Sequence, residues 1–193
     1  MSKLRLYYPT HPWSVGQAFG NVMPIYTNLG LKGHNGLDCY APDGVPVRAA
    51  HDGIVTFTGE DGSGGLGVVI RTDEQYDYGA DKSYFKTISW HIKPNTFKVK
   101  PGDKVKAGDI IALADNTGLS TGSHLHFGLK PVFNGDGEWN WLNREQNNGY
   151  AGAIDPVPYF TGINAKDLAK YNAIATKLIS VLETLIAYLK GRR

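Results

Sequence analysis

The sequence predicts a mainly β fold, in which an antiparallel sheet is followed by a C-terminal amphipathic α-helix. Between residues 45 and 129, short runs rich in β-branched residues alternate with glycine turns, as is typical of antiparallel strands. After residue 163 this pattern stops, and apolar residues recur at the spacing of a helix. We therefore divide the 193 residues into a domain of residues 1–162 and a helix within residues 163–193.

The strand pattern is clearest in four segments, which comprise residues 45–50, 54–57, 67–71 and 87–92. Two longer segments, 42–55 and 101–111, share the order of glycine turn, short strand, second turn and second strand, which indicates a weak internal duplication. Residues 73–81 and 134–149 have no strand pattern and are predicted to be long loops.

The C-terminal helix is predicted from a cap and an apolar stripe. Asn164 can cap it, with Asp167 three residues further on. The stripe consists of residues at helical spacing, namely Tyr171, Ile174, Leu178, Val181, Leu185 and Tyr188. Charged residues interrupt it, so it is not predicted to span a membrane. We expect the basic, amphipathic helix 165–190 to contact the preceding domain, a second copy, another protein or a membrane surface.

The overall composition excludes several classes of protein. A net charge of +2 is too small to indicate nucleic-acid binding. The single cysteine, Cys39, excludes an intramolecular disulfide. The N-terminal segment contains no continuous apolar stretch of signal-peptide length, so no signal peptide is predicted.

The residues best suited to chemistry are four histidines and one aspartate, namely His34, Asp38, His91, His124 and His126. His124 and His126 alternate in a predicted strand, which places both imidazoles on one face. Glycines around His34 and Asp38 argue against a helix there and favour a loop that enters a strand. His34, Asp38 and one of the two strand histidines provide two nitrogens and one oxygen, a donor set typical of a catalytic zinc site with an open fourth position.

The other histidines have a more ordinary interpretation. His91 lies in a predicted apolar strand, where a buried, hydrogen-bonded histidine is the usual alternative to a catalytic one. His11 and His51 are given this structural interpretation and no catalytic role. Cys39 follows Asp38 in the chain and should point inward, so a cysteine–histidine nucleophile is disfavoured.

Three segments carry a resemblance to a known family. They are H-N-G-L-D-C-Y-A-P-D-G-V-P-V-R-A-A-H-D-G-I-V, then S-W-H-I, then K-P-G-D-K-V-K-A-G-D-I-I-A-L-A-D-N-T-G-L-S-T-G-S-H-L-H-F. Over residues 33–129 the sequence resembles the lysostaphin/LytM-type zinc metalloendopeptidases of bacterial cell walls. The resemblance implies an antiparallel β-sheet groove of the duplicated hybrid motif type. The sequence departs from the family at Ser89 and Trp90, where a tyrosine and a small residue are usual.

The resemblance also implies roles for the site residues. One Zn²⁺ per chain is expected on His34, Asp38 and His126, with His91 and His124 as catalytic histidines. The expected function is zinc-dependent hydrolysis of peptide bonds in peptidoglycan cross-links or stem peptides, so the expected partner is bacterial peptidoglycan. The alternative is a noncatalytic cell-wall-binding or amidase-regulating relative with the same fold.

Substrate contacts and site of action are predicted less directly. An open groove lined by strands suits an extended peptide. Four aromatic residues in the predicted loops can wall such a groove or simply pack against the domain, namely Tyr76, Tyr78, Trp139 and Trp141. Without a predicted signal peptide, the protein is expected to act on the cell wall either as a phage-type lysin released by other means or as a trimmed form of a secreted enzyme.

Overall fold

The computed structural model describes residues 2–133, 143–163 and 165–190. The chain divides into two compact units, Met1–Gly162 and Ile163–Arg193. The first unit is mainly antiparallel β-structure and the second contains a helix, so the fold class predicted from the sequence is confirmed.

The first unit is built around one large sheet. Within the described residues its strands are β1 (Leu6–Tyr7), β2 (Val15–Gln17), β3 (Leu37–Tyr40), β4 (Pro46–Arg48), β5 (Gly53–Asp61), β6 (Gly65–Thr72), β7 (Tyr76–Tyr78), β8 (Asp81–Trp90), β9 (Lys104–Val105), β10 (Ile110–Leu113), β11 (His124–Val132) and β12 (Phe160–Gly162). Eight of them form a sheet in the order β2-β3-β11-β8-β6-β5-β9, with β7 paired to β8. A short helix, α1, spans Pro24–Asn28, and turns of 3₁₀-helix lie at Gly62–Gly64 and Val157–Tyr159.

The register of the central strands brings polar and aromatic residues into one row across the sheet. His126 on β11 lies opposite Asp38 on β3 and, on its other side, opposite Trp90 on β8. Gly67 on β6 lies opposite Trp90 in turn. Because side chains alternate between the two faces of a strand, this row defines one face of the sheet, which we call the groove face.

The opposite face of the sheet carries the hydrophobic core. Leu125 and Phe127 on β11 are 0% and 1% exposed, and Leu129 continues the same buried face. Burying each of these side chains contributes about 1.5–3 kcal/mol. A slip of one residue would move all three into the groove, so the core fixes the register that directs His124 and His126 the other way.

The two segments predicted to be an internal duplication pair with each other. β4 pairs with β10 and β5 pairs with β9, both in antiparallel orientation. Asp103 and Asp109 each accept a hydrogen bond from a backbone N–H three residues earlier, at Lys100 and Lys106. The same turn therefore precedes β9 and β10.

Two predictions about local structure are wrong in detail. Residues 73–81 do not form one long loop, because β7 pairs with the start of β8 in a hairpin that turns at Gly79, with φ +61°. β8 ends at Trp90, so His91 lies beyond the strand in which the sequence places it. The backbone of His91 has a φ of +65°, which is incompatible with a β-strand.

The second unit is the helix α2, Ala165–Lys190, at the position that the sequence predicts. Its apolar stripe is exposed, with Leu178 at 59% and Leu185 at 50% exposure. Within the described ranges, no helix is long and apolar enough to cross a membrane. The predicted cap, Asn164, lies outside the described residues.

Candidate active site

Three side chains meet at the start of β11 and form what we call the donor cluster, namely His34, Asp38 and His126. The Nε2 atom of His34 lies 3.1 Å from Oδ1 of Asp38 and 3.0 Å from Nδ1 of His126. The Nδ1 atom of His126 lies 3.2 Å from the same carboxylate oxygen. Three potential ligand atoms therefore converge on one point of the groove face.

Glycine makes the approach of His34 to His126 sterically feasible. At Gly36, a Cβ atom would lie 2.7 Å from the imidazole of His126 and from the carbonyl oxygen of Phe127, so only glycine fits between the loop and β11. His34 precedes β3 in this loop, and Asp38 lies within β3. The predicted arrangement, a loop that enters a strand, is the one observed.

The orientation of His34 is set by a backbone group outside the cluster. Its Nδ1 lies 3.1 Å from the carbonyl oxygen of Ala18, which can only accept a hydrogen bond, so Nδ1 carries the proton. The Nε2 atom that faces Asp38 is then left with its lone pair. Tyr26 from α1 stacks on the same ring at a centroid distance of 5.2 Å. Such supporting contacts typically orient a metal-binding histidine.

The electrostatics of the cluster favour a charged aspartate and lower the pKa of His126. Burial acts to raise the pKa of Asp38, but the neighbouring imidazoles of His124, His126 and His34 outweigh it and hold this pKa far below its usual range. Burial lowers the pKa of His126, although the Asp38 carboxylate opposes the shift. One carboxylate oxygen and two imidazole nitrogens are thus available as electron-pair donors.

This donor set fits a zinc ion. Zinc in catalytic sites is commonly held by three protein ligands drawn from histidine and acidic residues. Ligand atoms around a tetrahedral ion with bonds of about 2.0–2.1 Å are separated by about 3.4 Å. The separations of 3.0 Å, 3.1 Å and 3.2 Å in the cluster are close to that value, so little movement is needed to admit an ion.

Two more histidines flank the donor cluster, and each is anchored to a backbone carbonyl through Nδ1. In His124 this atom donates to the carbonyl of Gly122 at 2.7 Å, and Nε2 lies 3.4 Å from Oδ1 of Asp38. In His91 it donates to the carbonyl of Thr117 at 2.6 Å. The two rings lie 4.5 Å apart between centroids. Both histidines therefore keep Nε2 free of a backbone partner, ready to accept a proton.

The pKa values of the two flanking histidines are shifted in opposite directions. For His91 it lowers the pKa to about 4, although the hydrogen bond with Thr117 acts in the opposite direction. For His124 burial also acts to lower the pKa, but the interactions with Asp38 and with the carbonyl of Gly122 together outweigh it and the pKa is raised. At neutral pH His91 is the uncharged member of the pair, and His124 is the easier of the two to protonate.

The left-handed backbone of His91 is stabilised by two neighbouring loops. Its N–H donates to the carbonyl of Gly64 at 3.2 Å, and its carbonyl accepts from the N–H of Asp115 at 2.8 Å. A non-glycine residue in this conformation costs about 1–3 kcal/mol, a cost often found at functional sites. Gly118 lies so close to Gly65 that a Cβ there would be 2.4 Å from its nitrogen. The loop that contains Gly64 and Gly65 and the loop that contains Thr117 and Gly118 are thus packed backbone to backbone.

A cavity of about 620 Å³ contains all five residues and extends along the groove face. One side is lined by α1 and its neighbours through Met23, Ile25, Tyr26 and Leu29. The other side includes Trp90, whose ring packs on Gly64 and Gly67, where any Cβ would collide with it. The role of α1 in the cavity is not evident from the sequence, whereas Trp90 is already marked there as a departure from the family pattern.

Of the four predicted aromatic contacts, neither of the two that the structure describes, Tyr76 and Tyr78, lines this cavity. Tyr78 donates a hydrogen bond to Glu145 at 2.7 Å and packs on Phe85, and Tyr76 packs against the hydrophobic core. Both lie on β7, which pairs with the end of β8 that is remote from Trp90. For these two tyrosines the structure supports packing and not substrate contact. Trp139 and Trp141 lie outside the described residues.

The histidines without a predicted role lie elsewhere. His51 is buried, and its two ring nitrogens contact the carbonyl of Asp52 at 2.8 Å and the hydroxyl of Thr87 at 3.0 Å. Thr87 points to the core face of β8, so His51 is on the opposite side of the sheet from the donor cluster. His11 does not line the cavity either. Cys39 is buried, as expected for a residue that points inward.

Comparison with curated proteins identifies relatives of the region that contains the site. Residues 32–138 match the model of peptidase family M23. The chain is 37% identical over 94 residues to the DD-carboxypeptidase/endopeptidase Mpg of Neisseria meningitidis, covering 49% of this chain and 19% of that protein. It is 37% identical over 101 residues to the glycyl-glycine endopeptidase ALE-1 of Staphylococcus capitis, covering 51% and 25%. The chain thus spans a quarter or less of the length of these relatives.

Solved structures of similar fold point to the same family. The catalytic domain of lysostaphin from Staphylococcus simulans superposes with a TM-score of 0.56 and 26% identity, covering 76% of this chain and 91% of that domain. A zinc-containing peptidase from Vibrio cholerae superposes with a TM-score of 0.54 and 29% identity, covering 68% and 39%. The family match extends over more than half of the chain and includes the entire donor cluster and both flanking histidines. The chain belongs to peptidase family M23.

Proposed function

We propose that the protein is a zinc-dependent endopeptidase that hydrolyses peptide bonds in the cross-links or stem peptides of peptidoglycan. The observation that carries this proposal is the convergence of His34, Asp38 and His126 within one cavity, with His91 and His124 beside them. In this proposal the first three residues hold one Zn²⁺ per chain, and the other two transfer protons. A noncatalytic binding role would need none of the five.

The zinc ion supplies Lewis acidity, which polarises a carbonyl group and makes a water molecule acidic near neutral pH. Asp38 provides the negative charge that balances the dication, and its low pKa keeps it ionised across the physiological range. His34 presents Nε2 because Ala18 holds its other nitrogen. The three ligands come from a loop, β3 and β11, so the sheet itself determines their spacing.

His124 is the general base in this proposal. The carbonyl of Gly122 accepts a hydrogen bond from its Nδ1, so Nε2, which lies 3.4 Å from Asp38 Oδ1, is the nitrogen on the side of the donor cluster that can accept a proton. A water molecule that attacks the scissile carbonyl loses a proton to this nitrogen. A general base of this kind typically contributes about 10²–10⁴-fold to the rate.

His91 is the second proton-transfer residue in this proposal. Its ring lies next to that of His124, and Thr117 holds it in place. As a neutral ring with a proton on Nδ1, His91 accepts on Nε2 the remaining proton of the attacking water and then donates it to the oxyanion or to the leaving amine. The two histidines together carry out the proton transfers of the reaction.

The proposed substrate and site of action follow from the relatives. Mpg is named a carboxypeptidase and endopeptidase, ALE-1 is named a glycyl-glycine endopeptidase, and ShyA of Vibrio cholerae is named a peptidoglycan DD-endopeptidase. By analogy, we assign the protein to the bacterial cell wall, with peptidoglycan as its partner. Helix α2 provides a further contact surface, for a second copy, another protein or a membrane surface, through its exposed apolar stripe.

Hydrolysis of purified sacculi tests the proposal. Zinc-loaded, chelator-treated and zinc-restored protein are incubated with sacculi, and the soluble products are identified by mass spectrometry. We expect new amine termini in peptide fragments with the first and third samples, and none with the second. Binding to sacculi without any release of fragments, at one zinc per chain, would favour the noncatalytic alternative.

A further inference from the structure

Three cationic residues form a second row across the groove face. Lys86 on β8 lies opposite Arg71 on β6 and opposite Lys130 on β11. Lys130 is four residues from His126 on the same strand, and both point to the groove face. At about 3.3 Å per residue, the row lies about 13 Å along the groove from the donor cluster.

The two lysines belong to the same cavity as the catalytic residues, whereas the arginine does not. Lys86 and Lys130 line the cavity that contains His126. The guanidinium group of Arg71 lies 4.8 Å from the ring centre of Tyr84 and donates to the carbonyl of Thr72 at 2.8 Å, so it is engaged elsewhere. The lysines are therefore the cationic groups of this row that a ligand in the groove can reach.

Neither lysine has a salt-bridge partner in the parts of the chain that the structure describes. Asp61, at the end of β5, lines the same cavity and acts on Lys130 only at longer range. Burial, followed by the neighbouring Lys86, lowers the pKa of Lys130 to about 8, and burial also lowers the pKa of Lys86. A pKa of about 8 leaves Lys130 mostly protonated at neutral pH.

This arrangement is unfavourable for folding alone. Like charges directly opposite each other on neighbouring strands destabilise a sheet, and partial burial adds a desolvation cost. Between the lysines and the donor cluster, the groove face carries a row of uncharged residues, Val69, Ile88 and Gly128. The fold therefore does not require charged side chains on this face. A bound anion between the two ammonium groups would remove the repulsion.

We infer that Lys86 and Lys130 form an anion-binding subsite that takes a carboxylate of the peptide substrate, within about four residues of the scissile bond. This inference rests on the proposed function and gives it a substrate class. An extended peptide advances by about 3.3 Å per residue, the same rise as the strand beneath it. A free carboxylate of a stem peptide then reaches the lysine pair while the scissile bond lies at the donor cluster. Peptides whose carboxylates are amidated lose this contact.

A pair of matched substrates tests the subsite. The first is a cross-linked stem peptide with free carboxylates. The second is the same peptide with every free carboxylate converted to a carboxamide. The measurement is kcat/KM for each peptide with the zinc-loaded protein of residues 1–193. We expect the wild type to prefer the acidic peptide by at least about tenfold, the size of a charged hydrogen bond.

Two variants, one double and one control, assign that preference to the lysine pair. In Lys86→Met and Lys130→Met together, which remove the charge and keep an unbranched side chain at each position, the ratio of the two kcat/KM values should fall to about one. The amidated peptide should be cleaved at the wild-type rate within about twofold. Lys82→Met is the matched control, since Lys82 is exposed on the same strand and does not line the cavity. A preference that persists in the double variant overturns the subsite.

Two further readouts separate the subsite from the proposed function and from a structural role. If no variant cleaves either peptide, the proposed function fails, and calorimetric binding of the same peptides to metal-stripped protein still decides the subsite. Tighter binding of the acidic peptide, lost in the double variant, supports it, and equal binding overturns it. The double variant should also have an equal or higher Tm, because a repulsion is removed. A lower Tm would show that the lysines stabilise the fold through a partner of their own, and would overturn the inference.

Discussion

The donor cluster and the two flanking histidines are fixed by different kinds of contact. His34, Asp38 and His126 meet one another through side-chain atoms, with the Asp38 oxygen shared by both rings. His91 and His124 are instead held by the backbone carbonyls of loops. A loss within the cluster therefore affects its neighbours directly, whereas the loss of a flanking ring leaves the cluster assembled. Metal binding and proton transfer should accordingly be separable by mutation.

The largest effect is expected for His126→Ala. This change removes one of the three donors and leaves His34 and Asp38 as the remaining pair. We expect the protein to lose both its zinc and its activity. Removing a residue that only hydrogen-bonds to a metal ligand typically costs about 10–100-fold in metal affinity or activity, and removing the ligand itself should cost more. Metal analysis after gel filtration, together with hydrolysis of sacculi, measures both effects.

His124→Ala should separate the two properties. The three donors remain, so zinc should be retained at one ion per chain, while kcat falls by about 10²–10⁴-fold with the loss of the general base. Ser120→Ala is the control, because its hydroxyl lies 3.2 Å from the same Nδ1 but the carbonyl of Gly122 still holds the ring. Equal loss of zinc from His124→Ala and His126→Ala would contradict the division into ligands and proton-transfer residues.

The same contrast explains what the sequence could predict. Asp38 and His126 lie in ordered motifs with strand periodicity, so their common face follows from alternation, and the sheet register then confirms it. The left-handed backbone of His91 depends on contacts with Gly64 and Asp115, which are distant in sequence. No local pattern contains this information, and the sequence therefore extends the strand too far. The lysine pair was missed for the same reason, since it depends on the pairing of β8 with β11.

The loop that anchors His91 provides a further way to test the comparison. Gly118 has a φ of +78°, and the Cβ of an alanine there would lie 2.4 Å from the nitrogen of Gly65. In Gly118→Ala the loop must therefore move, and Thr117 moves with it. We expect a loss of stability of about 2–4 kcal/mol and a lower kcat, with zinc still bound. Gly30→Ala is the matched control, because its φ is +74° but nothing lies within 4 Å of its Cβ. It should cost only about 1 kcal/mol and leave kcat unchanged. Unfolding in urea and metal analysis distinguish these outcomes.

The smallest effect concerns His51, whose nitrogens contact neighbouring groups on the core side of the sheet. Burial lowers its pKa from 6.5, although the hydrogen bond with Asp52 opposes the shift. The neutral ring is therefore favoured in the folded protein, so its contribution to stability is fully present above pH 6.5 and is lost as pH falls towards the folded-state pKa. One such group changes the free energy of unfolding by at most about 1.4 kcal/mol per pH unit.

In urea titrations of metal-free protein below pH 6.5, the stability of His51→Gln should depend less on pH than that of the wild type, even if the variant is less stable at neutral pH. Parallel curves for the two proteins would show that His51 takes up its proton without cost, and that the acid sensitivity of the fold arises at the groove face instead.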